Sequence, residues 1–447
     1  MIQEPIMRIN CAAVFVMWLL GGNSCANGQD YWNQFRGSNG DGVTISQQLP
    51  LQFSEGSKQI VWKTPIAGKA WSSPVVWKEQ VWVTNAPEIQ NPPGLSDFDA
   101  IPKTQPQPLE VPIKLTAICL DLATGKPIHE VTVFNVTQPQ YTHQTNSYAS
   151  PTPVIEAGRI YVHYGTYGTA CLDTQTGEKL WERTDLNCHH WRGAGSSPIV
   201  HQQALYLSFD GYDKQFIVAL DKQTGKTIWQ RDRDVDFGTD NGDAKKAYST
   251  PVILAVDGRD LLVSPHAAAT TAYDAKTGEI VWVIYHGGMN AAARPLVGNG
   301  LVYINAGDGN DALIALDPRG TGILDQSSIK WRMGRMIPRR PSQLLSGNRF
   351  FMLEDKGVLA CLDATNGDLI GSSRVSGNYW ASPIMSGDRI YICSQDGKIT
   401  IVKADPDFEV LATNRLDDGM IASPAVAGDS LIIRTYKNVY RIANPKD

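Results

Sequence analysis

The sequence predicts an all-β chain folded as an eight-bladed β-propeller of four-stranded antiparallel blades, closed by an N-terminal strand that completes the last blade. Three observations carry this. A Ser-Pro-like step that opens a short apolar strand recurs eight times along the 447 residues. An Asp-x-x-Thr-Gly turn, flanked by alternating strands, follows most copies. The final unit stops one strand short, and a spare strand stands near the other end.

The first signature reads SSPVV at Ser72, ASPTPV at Ala149, SSPIV at Ser196 and STPVI at Ser249, then ARPLV at Ala293, RPSQLL at Arg340, ASPIM at Ala381 and ASPAV at Ala422. Taking Pro74, Pro151, Pro198, Pro251, Pro295, Pro341, Pro383 and Pro424 as anchors, the spacings are 77, 47, 53, 44, 46, 42 and 41 residues. Periods of 40 to 50 residues with four strands each are a propeller signal. No single blade can bury both faces alone, so the ring must close.

The second signature reads CLDLATGK at Cys119, CLDTQTGEKLW ending at Trp181, ALDKQTGKTIW at Trp229 and AYDAKTGEIVW at Trp282, and then decays. The Asp side chain caps the turn, Gly supplies the positive φ of a tight hairpin, and Trp packs between neighbouring sheets. The eighth unit offers ASPAV, SLIIRTY and NVYRI and then ends. QIVWKT, with Trp62 placed like Trp181, is the missing outer strand, so Ile60 to Lys63 should pair antiparallel with Asn438 to Ile442.

The long first spacing is explained by residues 86–115, whose seven prolines rule out a central strand. They form a loop between the second and third strands of the first blade, either a disordered flap or a recognition element. The domain plan is therefore a signal peptide at 1–26, an N-terminal extension at 27–58 and the propeller at 59–447.

Hydrophobic residues make up 42% of the chain and charged ones 19%, with 40 Gly and 26 Pro, a mixture that suits short strands and tight turns. The net charge of -5 gives no basic field, which excludes an electrostatically driven nucleic-acid or anionic-membrane role. Arg8, the apolar run Ala12 to Leu20 and the small residues ending Ser24, Cys25, Ala26 read as a secretory signal cleaved after Ala26. The run is about half of the ~20 residues a membrane span needs, so no transmembrane segment is expected in the mature chain. Gly22, Asn23 and Ser24 make a poor lipoprotein box, so no lipid anchor is expected at Cys25. A periplasmic or secreted monomer follows. Cys119, Cys171 and Cys361 share one strand context as small hydrophobes, and with Cys188 and Cys393 they form no evident disulfide framework.

These signatures resemble the PQQ-like (pyrroloquinoline quinone) β-propeller repeat family over essentially all of residues 59–447, within the quinoprotein alcohol dehydrogenase-like superfamily. YWNQFRGSNGDG, CHHWRGAGSSPI, TDNGDAKKAYSTP and LDDGMIASPAV are similar to an exported subfamily. The resemblance points two ways. Quinoprotein dehydrogenases bind PQQ with calcium and oxidise alcohols or sugars. The scaffold lipoprotein BamB of the outer-membrane assembly machinery is an eight-bladed propeller without a cofactor.

The dehydrogenase branch clamps its quinone between a Trp and a disulfide of adjacent cysteines, and this chain has no Cys-Cys pair. PQQ and calcium are therefore not expected, since repeat similarity alone does not transfer chemistry. The acidic run from Asp232 to Asp243 fails an EF-hand-type loop because Phe237 and Asp243 stand where Gly and Glu belong. Cys188, His189 and His190 lack a second pair at zinc spacing, no GxSxG elbow occurs, and AGDGND at Ala306 is a turn. No catalytic residue and no metal site is expected.

The positional signal is stronger. The residue three before each anchor should sit at the top rim of the central channel. Four of those eight are aromatic, Trp71, Tyr148, Tyr248 and Trp380, against 9% aromatics in the whole chain. His189, Trp191, Arg192, His286, Asn290, Arg335, Asn378, Tyr379 and Asp418 lie close by in sequence. Aromatics beside polar groups in a concave mouth make a binding site; the other reading is that the rings only plug the channel. The function expected is a non-catalytic scaffold that binds a protein or glycan partner through this face. A divergent quinoprotein oxidoreductase and a carbohydrate-binding module are the alternatives.

Overall fold

The computed structural model describes residues 1, 31–89, 109–309 and 312–445. The expected signal peptide and most of the Pro-rich insertion lie outside the described residues. Eight sheets form the ring, each with four antiparallel strands running from the channel outward. The first is Val75–Trp77, Gln80–Asn85, Ile113–Asp121 and Pro127–Val136. The insertion thus falls between second and third strands, as its prolines require, although the third strand already starts at Ile113.

The last sheet closes the ring. Ile60–Pro65 pairs antiparallel with Asn438–Ala443, Lys63 opposite Tyr440 and Thr64 opposite Val439. The chain ends therefore meet in one blade, with the outer strand supplied from the N-terminal side. Two sheets carry a fifth, parallel strand: Val43–Thr44 on the seventh blade and Gly322–Ile323 on the fourth.

Blade-to-blade packing repeats one joint. Trp62, Trp181, Trp229 and Trp331 on outer strands each donate an indole N–H across to the next blade, to the carbonyls of Leu122, Lys222, Ala275 and Ala364. Each acceptor directly follows the Asp of an Asp-x-x-Thr-Gly turn or its variant. Opposite Trp181 stands Cys171, and opposite Trp229 stands Ala219, small residues that leave room for the indole. In the same way Cys119 and Cys361 sit opposite Trp82 and Phe351. The five described cysteines are buried and free, in keeping with small hydrophobic residues.

Residues 31–58, expected as an extension outside the propeller, are built into it. Trp32 and Asn33 accept backbone hydrogen bonds from Val76 and Ile155 on the inner strands of blades one and two, and Gly42 accepts one from Met385 on blade seven. Between them Arg36 is buried, its guanidinium donating to the carbonyls of Pro383, Gln343 and Asp41. The guanidinium of Arg294 donates to the Phe35 carbonyl at 2.7 Å. Gly40 and Gly42 are obligatory here: both have positive φ, 70° and 79°, and a Cβ on either would lie within 2.4 Å of an arginine head. The segment is a plug across the lower end of the channel.

Candidate functional site: a cup on the top face

Inner strands run down from the face where they begin, so the loops entering them and the loops leaving each second strand share one side, the top. The eight inner strands start at Val75, Val154, Ile199, Val252, Leu296, Leu344, Ile384 and Ala425. This register corrects two anchors. The step of the second blade is Thr152-Pro153, not Ser150-Pro151, and in the sixth blade Pro341 stands three residues before the strand. The rim position, four residues before each strand, is held by Trp71, Ser150, Gly195, Tyr248, Ala292, Arg340, Trp380 and Ile421. All eight line one cavity of about 240 Å³ whose lining also includes Phe35 from the plug. The channel is therefore a cup with the plug beneath it and its mouth on the top face.

Two residues below the rim a belt holds the wall together. The backbone N–H groups of Ser73, Thr152, Ser197, Ser342, Ser382 and Ser423 donate to the hydroxyls of Thr152, Ser197, Thr250, Ser382, Ser423 and Ser73 on the following blade, at 2.8–3.1 Å. Arg294 donates to Ser342 in the same way. Its own side chain supplies no hydroxyl, and its guanidinium goes to the plug instead. Rim side chains thus stand on a belt whose hydroxyls are already engaged, which makes a rigid platform.

Of the expected site residues, Trp71, Arg192, Tyr248, Asn290 and Trp380 line the cup. Trp71 packs edge-on to Tyr436 at 5.4 Å and donates its indole N–H to the Thr145 carbonyl. Arg192 pairs with Asp243 at 3.2 Å, and Asp243 also meets the buried Lys246. The Tyr248 hydroxyl and the Asn290 side-chain oxygen are buried without a hydrogen-bond partner. Asn290 also holds φ at 56°, a conformation that non-glycine residues adopt at some energetic cost. Burial pushes the Tyr248 phenol well above its ordinary value.

Arg335 and Asn378 line an adjoining groove of about 680 Å³, which shares Arg339, Arg340 and Trp380 with the cup. The other expected residues do not reach either. Tyr148 turns aside, its hydroxyl donating to the Gln140 carbonyl in a small internal cavity. His189 and Trp191 are buried beside Tyr212, and Trp191 also packs with Tyr141. His286 is buried against Thr270 and the Gly287 carbonyl. Tyr379 is a core residue, and Asp418 accepts the backbone N–H of Lys437. Arg339, Arg340, Asn146, Asp308 and Phe35 are lining residues that sequence reasoning missed. Arg340 was hidden by the misplaced Pro341 anchor, and Phe35 lay in a segment read as an extension.

The closed ring, the blade joints and the cup together define an eight-bladed propeller of the PQQ-like repeat class. The profile of the family described as outer membrane protein assembly factor BamB matches residues 111–253 and 213–446, and the chain belongs to this family. BamB of Legionella pneumophila (strain Paris) is 26% identical over 209 residues, 46% of this chain and 50% of that protein. Methanol dehydrogenase (cytochrome c) subunit 1 of Methylobacterium organophilum is 29% identical over 145 residues, 30% of this chain and 23% of that protein. This chain thus spans about half the length of the first relative and less of the second. Among solved structures, BamB from Moraxella catarrhalis has a TM-score of 0.52 at 13% identity, covering 76% of this chain and 96% of that one. A europium-containing methanol dehydrogenase has a TM-score of 0.65 at 12% identity, covering 93% and 91%. At such identities these likenesses show the fold alone.

The cup's residues do not fit a quinone held with calcium. Among the described residues one carboxylate, Asp308, lines it, and it is engaged by Asn290 at 3.3 Å and by Arg339 at 3.4 Å. Calcium takes six to eight oxygen ligands, usually several of them carboxylates. Among the described residues no three His, Cys, Asp or Glu side chains gather as a metal site.

Proposed function

We propose that this chain is an exported, non-catalytic propeller that holds a protein or glycan partner in the cup on its top face. The observation that carries this reading is the cup, an aromatic and amide-lined recess on a rigid belt, where the Tyr248 hydroxyl and the Asn290 side-chain oxygen are among the buried polar atoms that no hydrogen bond satisfies. Among the described residues nothing lining it forms a nucleophile with a base: the belt hydroxyls accept backbone N–H groups, the histidines lie elsewhere, and Asp308 is paired with Arg339. The relatives named as assembly factors support a scaffold role, and the leader-like N-terminus supports a periplasmic or secreted location. No helix among the described residues is long and apolar enough to cross a membrane.

The test is a partner recovered by pull-down on the mature chain. Trp71→Ala and Trp380→Ala should each weaken its binding by on the order of 2 kcal/mol, as buried aromatic anchors do, about thirtyfold in Kd. The melting temperature should change little, because both rings are half-buried at the rim rather than in the core. Unchanged affinity in a well-folded double variant would remove the top face as the working face.

A further inference from the structure

We propose that the cup takes the end of an acidic oligosaccharide, a uronate-bearing or sulfated sugar chain, whose following units run outward over Trp380 along the basic groove. This rests on the top face being the working face and names what that face holds.

Shape points first to a chain held by its end. At about 240 Å³ the cup is smaller than the ~300–1,000 Å³ of ordinary small-molecule pockets, so it admits one ring-sized unit. The plug stands beneath it, and a groove of about 680 Å³ adjoins it on the top face across the shared Arg339, Arg340 and Trp380. A ligand with one unit in the cup and more in the groove uses both.

Chemistry then selects a sugar. Indole faces such as those of Trp71 and Trp380 stack on the apolar C–H face of a pyranose, while the ring's edge presents hydroxyls that need donors and acceptors. The Tyr248 hydroxyl and the Asn290 carboxamide oxygen supply these. Both are buried without a partner, and Asn290 is only 9% exposed; a buried polar atom in that condition is unfavourable until a ligand satisfies it. A peptide fits poorly. Extended peptides dock by adding a strand to a free sheet edge, but the inner strands of blades one, two and seven already donate to the plug. The residues above them are tied into the hydroxyl belt.

Charge selects an acidic sugar. Arg335, Arg339, Arg340 and Lys356 line the groove, against Glu354 and Asp355. Asp355 is committed to Arg340 at 2.7 Å, and Arg340 lies over the Trp380 ring at 4.5 Å. The Arg339 head meets Asp308 at 3.4 Å and remains 54% exposed, so its outer N–H groups can reach a carboxylate or sulfate while the pair persists. Planar guanidinium heads bind both groups in a two-pronged manner.

The experiment is calorimetric titration of the mature chain with a galacturonate trisaccharide, a sulfated chondroitin tetrasaccharide, neutral cellotetraose, inorganic sulfate and an acidic decapeptide. Saturable binding is expected for one or both acidic sugars, weaker at high salt because the charges are exposed. At least tenfold loss is expected in Trp380→Ala and in Arg339→Gln, with circular dichroism and melting unchanged. Equal binding of cellotetraose, or of sulfate alone, would overturn the proposal, as would no saturable binding of either acidic sugar. Peptide binding lost in Trp71→Ala would overturn it while leaving the top face as the working face. If, in addition, partner capture is indifferent to Trp71→Ala and Trp380→Ala, both readings fall.

Discussion

Arg36, Arg294 and Arg434 are guanidiniums buried among carbonyls and hydroxyls, and burial lowers their pKa values to about 9, 10 and 10. Each joins segments remote in sequence, which offsets its desolvation with several directed hydrogen bonds. Arg233 follows the other solution, paired two-pronged with Asp210 at 2.9 Å inside blade three. The buried histidines are a liability of the opposite kind. Burial holds His190 and His286 down to about 4 and His163 to about 3, and His266 well below its ordinary value. Thr169 faces His163, Cys188 faces His190, Thr271 faces His266 and Thr270 faces His286. All four are neutral in the fold, whereas the unfolded chain protonates them near pH 6.5. The unfolded state therefore binds more protons as pH falls below about 6.5, and stability drops until the folded values near 4 and 3 are passed. Urea unfolding should give a lower free energy at pH 5 than at pH 7.5, and His286→Gln should flatten that slope; a flat profile in the parent chain would contradict the assignment. At this scale the sequence was a partial guide. Trp71, Tyr248 and Trp380 were legible because a Ser/Thr-Pro step fixes the strand start. Tyr148 was misplaced because Pro151 and Pro153 differ by two residues, one full side-chain period of a strand, so alternation cannot separate the two registers.

The Asp-x-x-Thr-Gly turn and the Trp of the preceding blade act as one element. In blade three, Asp221 Oδ1 accepts the Thr224 N–H at 2.8 Å, and Gly225 takes φ 72° under the Trp181 ring, where a Cβ would come within 2.7 Å of an indole carbon. The same contact recurs at Gly125 under Trp62, Gly278 under Trp229 and Gly367 under Trp331. The turn and the Trp between sheets were legible from sequence, because both repeat at fixed spacing, whereas the seat of each ring on the next blade's Gly was not, because it joins two separate repeats. The plug was not, because FRGSNGDG has neither strand nor helix periodicity and its partners are hundreds of residues away. The joint makes a controlled prediction. Gly158 has φ 79° with nothing within 4 Å of a Cβ, so Gly158→Ala should bear only the left-handed backbone term, about 1–2 kcal/mol. Gly225→Ala bears the same term plus overpacking against Trp181, about 1–3 kcal/mol more. Equal losses on denaturant titration of the two variants would mean that the ring contact contributes nothing beyond the turn.

At the scale of the whole ring, closure decides how the molecule opens. In an open stack of repeats the terminal units fray first, because each has one neighbour instead of two. Here the seam between blades eight and one is bolted as firmly as an interior joint. Trp62 and Arg441 donate to the Leu122 carbonyl, Thr64 to the Gly125 carbonyl, and Arg434 to the Thr84 carbonyl, Ser72 Oγ and Asn85 Oδ1. The plug adds a strap from blades one and two to blades six and seven. In the intact chain, amide hydrogens of Leu431–Arg434 in blade eight should therefore exchange as slowly as those of Leu261–Val263 in blade four. Trp62→Ala with Arg434→Ala removes two bolts, each an unfavourable change of about 2–5 kcal/mol by lost packing or unpaired carbonyls, and returns the ring toward an open stack. Protection should then fall first in blades eight and one while blade four keeps most of its own, and Arg434→Ala alone should show the same order at smaller amplitude. If protection instead falls uniformly around all eight blades, the seam is no more separable than any other joint and the account of closure by local bolts is wrong.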